Sequence, residues 1–245
     1  PAAVPPDDCF RLADKVKSCA CNWTVSSVPS EGATVTALYD SNRKSIQLCR
    51  KITSGGEGTI YQTNIPGMVA KIYKKEKLNR TRHEKLCLLA RKNLSCDGVC
   101  FPLALLYDKE YNFVGYLMRQ AHGRELQRCV FQPQLLKKYF PNWTKQDTVT
   151  LCITILKKLK YLHDRNVILG DINPNNILVV SPTEVYFVDT DSYQIEGFPC
   201  PVGTINFTAP EIQRKDFSTF LRTIGNERFA VATLLFMIML PGKPP

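Results

Sequence analysis

Three polar residues in the second half of the chain have the types and spacing of a metal site. Asp171 and Asn176 lie five residues apart, directly before an apolar run, and Asp189 ends a second apolar run thirteen residues after Asn176. We expect the two runs to pair as a hairpin, which would bring these side chains to neighbouring strand ends. Their oxygen atoms suit a hard cation, so the pattern predicts Mg2+ together with a triphosphate. Turn or cap formation explains any one of these residues but not their joint spacing.

A glycine-rich segment and a lysine in the first half would complete a nucleotide site. Residues 54–58, Ser-Gly-Gly-Glu-Gly, lie between two predicted strands, where main-chain N–H groups can approach phosphate oxygens. A glycine-rich hairpin turn explains the segment equally well. The nucleotide interpretation gains support from Lys71, thirteen residues after Gly58 in an apolar strand, because a lysine facing inward there needs an anionic partner. Glu84, in the following predicted helix, could be that partner.

The elements that would position these residues fall into two halves. We therefore expect an α+β fold with two lobes, an antiparallel sheet with one helix (residues 41–118) and a mostly helical lobe (124–245), joined by a hinge at 119–123. Residues 1–40 are expected to form an N-terminal extension without a chemical role. The predicted strands are 45–52, 58–63, 68–73, 101–107, 111–119, 177–180 and 185–188, and the predicted helices are 76–92, 144–163 and 227–240.

Composition excludes several classes of protein. The chain has 245 residues, of which 44% are hydrophobic, enough to bury a core. Its longest apolar stretch, residues 229–240, is shorter than a bilayer span, so we predict no membrane partner and a cytoplasmic location. Ten cysteines are too few for a disulfide-stapled scaffold of this length and are expected to be reduced.

The net charge of +10 suits an anionic partner. Many of the basic residues lie between Lys71 and Lys92. Apart from Lys71, a solvated helix face explains them. The sequence has no RNA-binding aromatic motif and no zinc finger, so nucleic acid is not indicated as a partner.

The order of these motifs resembles the eukaryotic-like protein kinases from Ile52 to Leu240. The shared features are the glycine-rich segment, Val-Ala-Lys, a helical glutamate, Asp-x4-Asn, a later aspartate and the run Gly-Thr-Ile-Asn-Phe-Thr-Ala-Pro-Glu at 203–211. The loop Gly-Asp-x-Asn-Pro-x-Asn is similar to that of divergent bacterial Ser/Thr kinases. The resemblance implies a bilobal kinase fold whose helical lobe is incomplete after residue 240.

The resemblance also implies roles for individual residues. Asp171 would be the catalytic base, Thr204 would face the substrate hydroxyl, and Asn173 takes the position of a lysine that neutralises the transferred phosphoryl group. Lys71 would pair with Glu84. Asn176 and Asp189 would bind Mg2+, with Mn2+ as an alternative. ATP would contact Gly55, Gly56, Gly58, Ile60, Val69, Lys71, Met118, Arg119, Ala121 and Leu178.

Several positions depart from the family pattern. Thr53 replaces the first glycine of the loop, and Thr190-Asp191 replaces a Phe-Gly pair. Leu169-Gly170 replaces His-Arg, which removes the arginine that would bind a phosphorylated activation loop, so activation by loop phosphorylation is not expected. Glu227 stands where a buried aspartate braces the catalytic loop in the family.

Three functions are compatible with these features. An ATP- and Mg2+-dependent protein kinase acting on Ser or Thr hydroxyls is favoured by the complete set of base and metal residues. A small-molecule kinase shares the Gly-Asp-x4-Asn loop but lacks the Ala-Pro-Glu segment at 209–211. A nucleotide-binding pseudokinase is suggested by Thr53, Asn173 and Asp191. The joint retention of Lys71, Asp171, Asn176 and Asp189 argues against it.

Overall fold

The computed structural model describes residues 25–39 and 42–243. The chain divides into two compact units. Of the described residues, the first unit contains those up to Leu94 and Phe101–Gln120, and the second contains Ser95–Cys100 and those from Ala121 onward. Their combination of antiparallel sheets and helices is the α+β class that the sequence predicts, and it is compatible with a kinase-like fold.

Within the described part of the first unit, six antiparallel strands close into a barrel in the order β1-β2-β3-β4-β6-β5. Alternate residues of these strands face inward and form a cluster that includes Ala37, Ile46, Ala70 and Leu106. The strands are β1 (Thr34–Tyr39), β2 (Asn42–Ser54), β3 (Gly58–Thr63), β4 (Met68–Tyr73), β5 (Ala104–Tyr107) and β6 (Phe113–Arg119).

The closure of the barrel corrects one expectation. The sequence interpretation assigned residues 1–40 to an extension outside the sheet, but residues 34–39 form β1, which pairs with β2 on one side and with β5 on the other. The sheet therefore closes on itself instead of ending at β2. Residues 1–24 and 40–41 lie outside the described residues.

Helix α1 (Arg80–Arg91) packs against the barrel strand β5. It begins later than the predicted residue 76, because Asn79 caps it by accepting a hydrogen bond from the Arg82 N–H at 2.8 Å. A short 3-10 helix at Lys75–Lys77 precedes the cap. His83, which is buried, lies 2.8 Å from the Tyr107 hydroxyl and anchors the helix to β5.

In the second unit, capping boxes fix the starts of the two long helices. Thr144 and Asp147 cap the first of them, which confirms the predicted helix at 144–163, and Thr223 and Asn226 cap the last, which begins three residues before the predicted Glu227. The helices are α2 (Pro133–Tyr139), α3 (Lys145–His163) and α4 (Ile224–Met239). The strands are β7 (Arg124–Glu125), β8 (Val167–Ile168), β9 (Ile177–Ser181), β10 (Glu184–Phe187) and β11 (Gln194–Ile195).

Two further sequence expectations concern helix length and thiols. Among residues 25–39 and 42–243, no helix combines the length and the apolar character that a membrane crossing requires. Within the same ranges no two cysteines are joined in a disulfide, as the low cysteine density predicts. Burial raises the pKa of the Cys129 thiol to about 11, so this side chain stays protonated at neutral pH.

Candidate active site

Four of the predicted nucleotide residues share one face of the barrel wall in the first unit. Ile60 of β3 is directly opposite Lys71 of β4, and Val69 of β4 is opposite Met118 of β6. Val69 and Lys71 are two residues apart on one strand, so the four side chains point to the same side. This side is the outer one, because the intervening Ala70 belongs to the barrel interior.

Lys71 is almost fully buried, and its surroundings differ from the prediction in one respect. Its ammonium lies 3.7 Å from the carboxylate of Glu57 and 5.5 Å from the centre of the Tyr73 ring. Within the described residues, Glu84 pairs instead with Arg80, its Oε1 at 2.7 Å from Nε one helical turn away. The expected ion pair between Lys71 and Glu84 is therefore absent from this structure.

Glu57 is a residue of this site that the sequence interpretation did not single out. One of its carboxylate oxygens accepts a hydrogen bond from Arg82 of α1 at 2.7 Å, while the other faces Lys71. The Arg82 guanidinium in turn lies 4.5 Å from the centre of the Tyr73 ring. Glu57 thus joins the glycine-rich segment to both α1 and Lys71. The sequence did contain a sign of this role, because Glu57 is an acidic residue inside a segment that is expected to approach phosphate groups.

The glycine-rich segment forms the turn between β2 and β3. The Gly55 N–H donates to the Gly58 carbonyl at 2.9 Å, which closes the turn. Gly55 and Gly56 are exposed, with open space around their Cα atoms. A side chain on Gly58 would overlap the Ile72 carbonyl of β4, so this glycine is required by strand packing.

In the second unit, hydrogen bonds connect three of the predicted catalytic residues. The Thr204 hydroxyl donates to Oδ1 of Asp171 at 2.9 Å, and Nδ2 of Asn173 donates to the same hydroxyl oxygen at 3.1 Å. Oδ1 of Asn173 accepts from the Asn175 N–H at 2.9 Å, which fixes the orientation of the amide. Residues 33 positions apart in sequence, Asp171 and Thr204, are thus in direct contact.

Glu227 of α4 holds the loop that carries Asp171. Its two carboxylate oxygens accept the N–H groups of Leu169 and Gly170, at 2.8 and 3.0 Å, and His163 of α3 lies 3.3 Å away. The carboxylate is almost fully buried, so these bonds replace its lost hydration. The buried glutamate therefore occupies the bracing position expected from the sequence.

The hairpin of β9 and β10 brings the predicted metal ligands together. Ile177 is opposite Phe187, and the Val188 N–H donates to the Asn176 carbonyl at 3.0 Å, so Asn176 is adjacent to the residue before Asp189. Asp189 has a left-handed backbone with φ of 54°, which Asp tolerates better than most residues. The neighbouring Thr190 hydroxyl donates to the Cys100 carbonyl at 2.7 Å.

This pair fits a divalent cation bound jointly with phosphate oxygens. One carboxylate and one amide oxygen are hard donors, but they are fewer than a protein-only cage requires. Across the described residues there is also no group of three or more His, Cys, Asp or Glu side chains suited to holding a metal ion. Mg2+, which commonly takes one or two protein ligands and completes its shell with phosphates and water, matches that donor set.

The remaining predicted nucleotide contacts lie at element ends. Arg119 is exposed at the end of β6, opposite Met68, and the following Gln120 N–H donates to the Gly67 carbonyl at 2.9 Å. In the second unit, Leu178 of β9 is opposite Glu125 of β7 and is half-buried, and Ala121 precedes β7.

Comparison with known proteins gives an independent indication of class. No family model matches the chain. The chain is 27% identical over 217 residues to the protein kinase YegI of Escherichia coli, covering 85% of this chain and 33% of that protein. It is 25% identical over 142 residues to the serine/threonine-protein kinase PLK4 of Drosophila persimilis, covering 56% of this chain and 17% of that kinase. With the serine/threonine-protein kinase nekl-2 of Caenorhabditis elegans it shares 27% over 145 residues, covering 54% of this chain and 40% of that kinase.

These similarities support a protein-kinase-like superfamily. The match to YegI extends through most of this chain but spans only a third of that protein's length. The kinase-like assignment agrees with the contact between Asp171 and Thr204, which joins the loop and the segment that carry the resemblance.

Proposed function

We propose that the chain is an ATP- and Mg2+-dependent protein kinase that phosphorylates Ser or Thr hydroxyls. The observation that carries this proposal is the hydrogen-bonded series from Asn173 through Thr204 to Asp171. It combines a carboxylate able to accept a proton with two polar groups that orient it. The named kinases among the relatives support the same class of reaction.

Asp171 acts as the proton acceptor in this proposal. The oxygen of the substrate Ser or Thr hydroxyl forms a bond to the γ-phosphorus of ATP. The bond from that phosphorus to the bridging oxygen breaks and releases ADP, and the hydroxyl proton passes to Asp171. Glu227 keeps the loop of Asp171 in place through the two N–H groups that it accepts. The protein contributes mainly positioning and charge, because phosphoryl transfer requires little covalent chemistry from it.

The resemblance to protein kinases assigns nucleotide and metal-binding roles to individual residues. Lys71 and the glycine-rich segment would bind phosphate oxygens, and Asn176 and Asp189 would hold Mg2+, which when bound offsets charge on the triphosphate. Ile60, Val69 and Met118 would contact the adenine, because they form the apolar surface on the same side of the sheet as Lys71. Asn173 offers an amide N–H where the resembling kinases have a lysine.

Transfer of radiolabel from ATP tests the proposal. With Mg2+ or Mn2+ and a generic basic protein as acceptor, we expect label on protein, and Asp171→Asn should reduce it at least about 100-fold because the general base is lost. Binding of ATP should be unchanged in that variant. Asp164→Asn is the matched control, since it removes an exposed carboxylate that pairs with Lys160 at the end of α3. Label that persists in Asp171→Asn would refute the assignment of the base.

A nucleotide-binding pseudokinase is the second candidate. The pairing of Lys71 with Glu57, with Glu84 turned to Arg80, favours it, because this arrangement engages the ammonium that would otherwise orient phosphates. ATP binding without transfer to any acceptor, with Mg2+ or with Mn2+, would select this function over the first.

A further inference from the structure

Arg222 is a buried arginine at the junction between the catalytic loop and the segment that carries Thr204. It directly precedes Thr223, the cap of α4, and is only 5% exposed. Its guanidinium donates to the Val202 carbonyl at 2.7 Å and to the Cys200 carbonyl at 3.4 Å. These two carbonyls lie two and four residues before Thr204.

The side chain of Arg222 is held on several sides. Its guanidinium carbon lies 4.2 Å from the centre of the Phe217 ring, a stacking contact. Its main-chain N–H and carbonyl are both bonded to the side-chain amide of Gln194, at 2.7 and 2.8 Å. Among residues 25–39 and 42–243, no carboxylate lies within ion-pair distance of it. A buried cation satisfied by carbonyls is costly, which points to a positional role.

Two glycines leave the space that the guanidinium fills. A Cβ on Gly203, the residue before Thr204, would lie 2.6 Å from Nη2 of Arg222. A Cβ on Gly170, the residue before Asp171, would overlap Nη1. The guanidinium therefore contacts the main chain directly before each of the two residues whose side chains meet at 2.9 Å.

We propose that Arg222 is a positioning residue that holds the segment 200–204 against the loop of Asp171. It fixes Thr204 through the Val202 and Cys200 carbonyls, and in this way sets the contact between Thr204 and Asp171. The groups that accept hydrogen bonds from Arg222 are main-chain carbonyls. Arg222 can therefore fix the segment without a phosphorylated side chain. The expected effect of Arg222 on catalysis rests on the proposed kinase function. Its contacts with the segment 200–204 do not depend on that function.

Two variants separate the geometry of the guanidinium from its charge. Arg222→Gln removes the charge. Arg222→Lys keeps the charge but cannot donate from two fixed nitrogens to two carbonyls at once. In the full-length protein we expect both to lower kcat and raise the acceptor KM, with kcat/KM reduced about 10- to 100-fold because Thr204 is misplaced. The Kd for MgATP should stay unchanged. Arg228→Gln is the matched control, since Arg228 is an exposed arginine of α4.

Hydrogen–deuterium exchange without nucleotide tests the hold independently of activity. Arg222→Gln should accelerate exchange selectively at residues 200–208, whereas Arg228→Gln should not. Equal exchange in the two variants, or acceleration spread evenly over the second unit, would overturn the proposal. If the wild-type protein transfers no phosphate while exchange at 200–208 still rises selectively, the hold is supported and the kinase function is refuted.

A steric variant provides a second test. Gly203→Ala should push the guanidinium from its place and reproduce the exchange pattern of Arg222→Gln. In the Arg222→Ala background the same substitution should add less than it does in the wild-type protein, because the contact with Nη2 is gone and only the contact with the Phe217 ring, at 2.8 Å, remains. Full additivity of the two substitutions would contradict the proposed contact.

Discussion

Glu57 contacts the lysine to which we assign phosphate binding. Its carboxylate faces Lys71 at 3.7 Å and accepts a hydrogen bond from Arg82 at 2.7 Å, so it offsets the charge of both cations. In the proposed kinase, a triphosphate would compete with this carboxylate for Lys71. The cost of that competition is modest, because the Glu57 side chain is 37% exposed to water.

We expect Glu57→Gln to strengthen nucleotide binding. The Kd for MgATP should fall about 2- to 5-fold, since an ion pair of this exposure is worth ~1 kcal/mol or less. Isothermal titration calorimetry measures the change. Glu76→Gln, which removes an exposed carboxylate from the preceding 3-10 helix, controls for the change in net charge. Equal affinities of the two variants would show that Glu57 does not compete with the nucleotide.

Individual residues were predictable where spacing alone constrains them. The hairpin between Asn176 and Asp189 was predicted from two short apolar runs, and the pairing of β9 with β10 confirms it, whereas the metal-binding role of these residues stays a prediction. The pairing of Lys71 was predicted wrongly. It depends on how α1 lies against the barrel, where buried His83 is 2.8 Å from the Tyr107 hydroxyl, and local sequence does not encode that packing.

Arg222 was missed for a different reason. A single arginine among 32 basic residues carries no sequence signal of burial. Its role follows only from the approach of residues 170 and 203 in space, which local patterns do not encode.

At the level of elements, the start of α4 connects stability to the site. Thr223 accepts the Asn226 N–H at 3.3 Å, and Asn226 in turn accepts the Thr223 N–H at 2.9 Å. One turn further on, Glu227 braces the loop of Asp171. Loosening this first turn should therefore affect the loop as well as the helix.

We predict that Thr223→Ala lowers the free energy of unfolding by about 1 kcal/mol, because an N-cap hydroxyl is lost. Urea denaturation followed by circular dichroism measures the change. Thr223→Ser keeps the hydroxyl and should retain most of the stability. A Thr223→Ala protein as stable as the wild type would show that the cap contributes nothing.

Helices with strong periodicity and a capping signal were the best predicted elements. The helix at 144–163 has both, and its observed bounds, Lys145–His163, agree with the prediction. Strand β1 was missed because its pattern is short and one of its partners, β5, lies far along the chain, with Ala37 opposite Leu106. Such pairing depends on tertiary structure rather than on local sequence.

At the scale of the whole molecule, each unit is a compact body, and the barrel core is the clearest place to test stability. Leu106 is fully buried on β5, within the cluster that fills the barrel. We predict that Leu106→Ala lowers the free energy of unfolding by about 2–5 kcal/mol, through lost burial and a cavity.

Chemical denaturation followed by intrinsic fluorescence measures that loss. Leu221→Ala is the control, because Leu221 is 47% exposed and its truncation should leave stability nearly unchanged. Equal effects of the two substitutions would mean that the barrel interior does not contribute as the burial of Leu106 implies.

The closure of the barrel by β1 has a practical consequence for anyone who shortens this protein. A gene fragment chosen to begin near residue 41, at the start of the sheet as the sequence suggests it, would delete β1 and leave β2 and β5 without their shared neighbour. Two rows of unsatisfied main-chain groups would then face solvent and recruit strands from other molecules. Insoluble expression of such a fragment would therefore reflect the cut rather than the kinase-like sequence itself, and a boundary before Val25 keeps β1 and the residues described ahead of it.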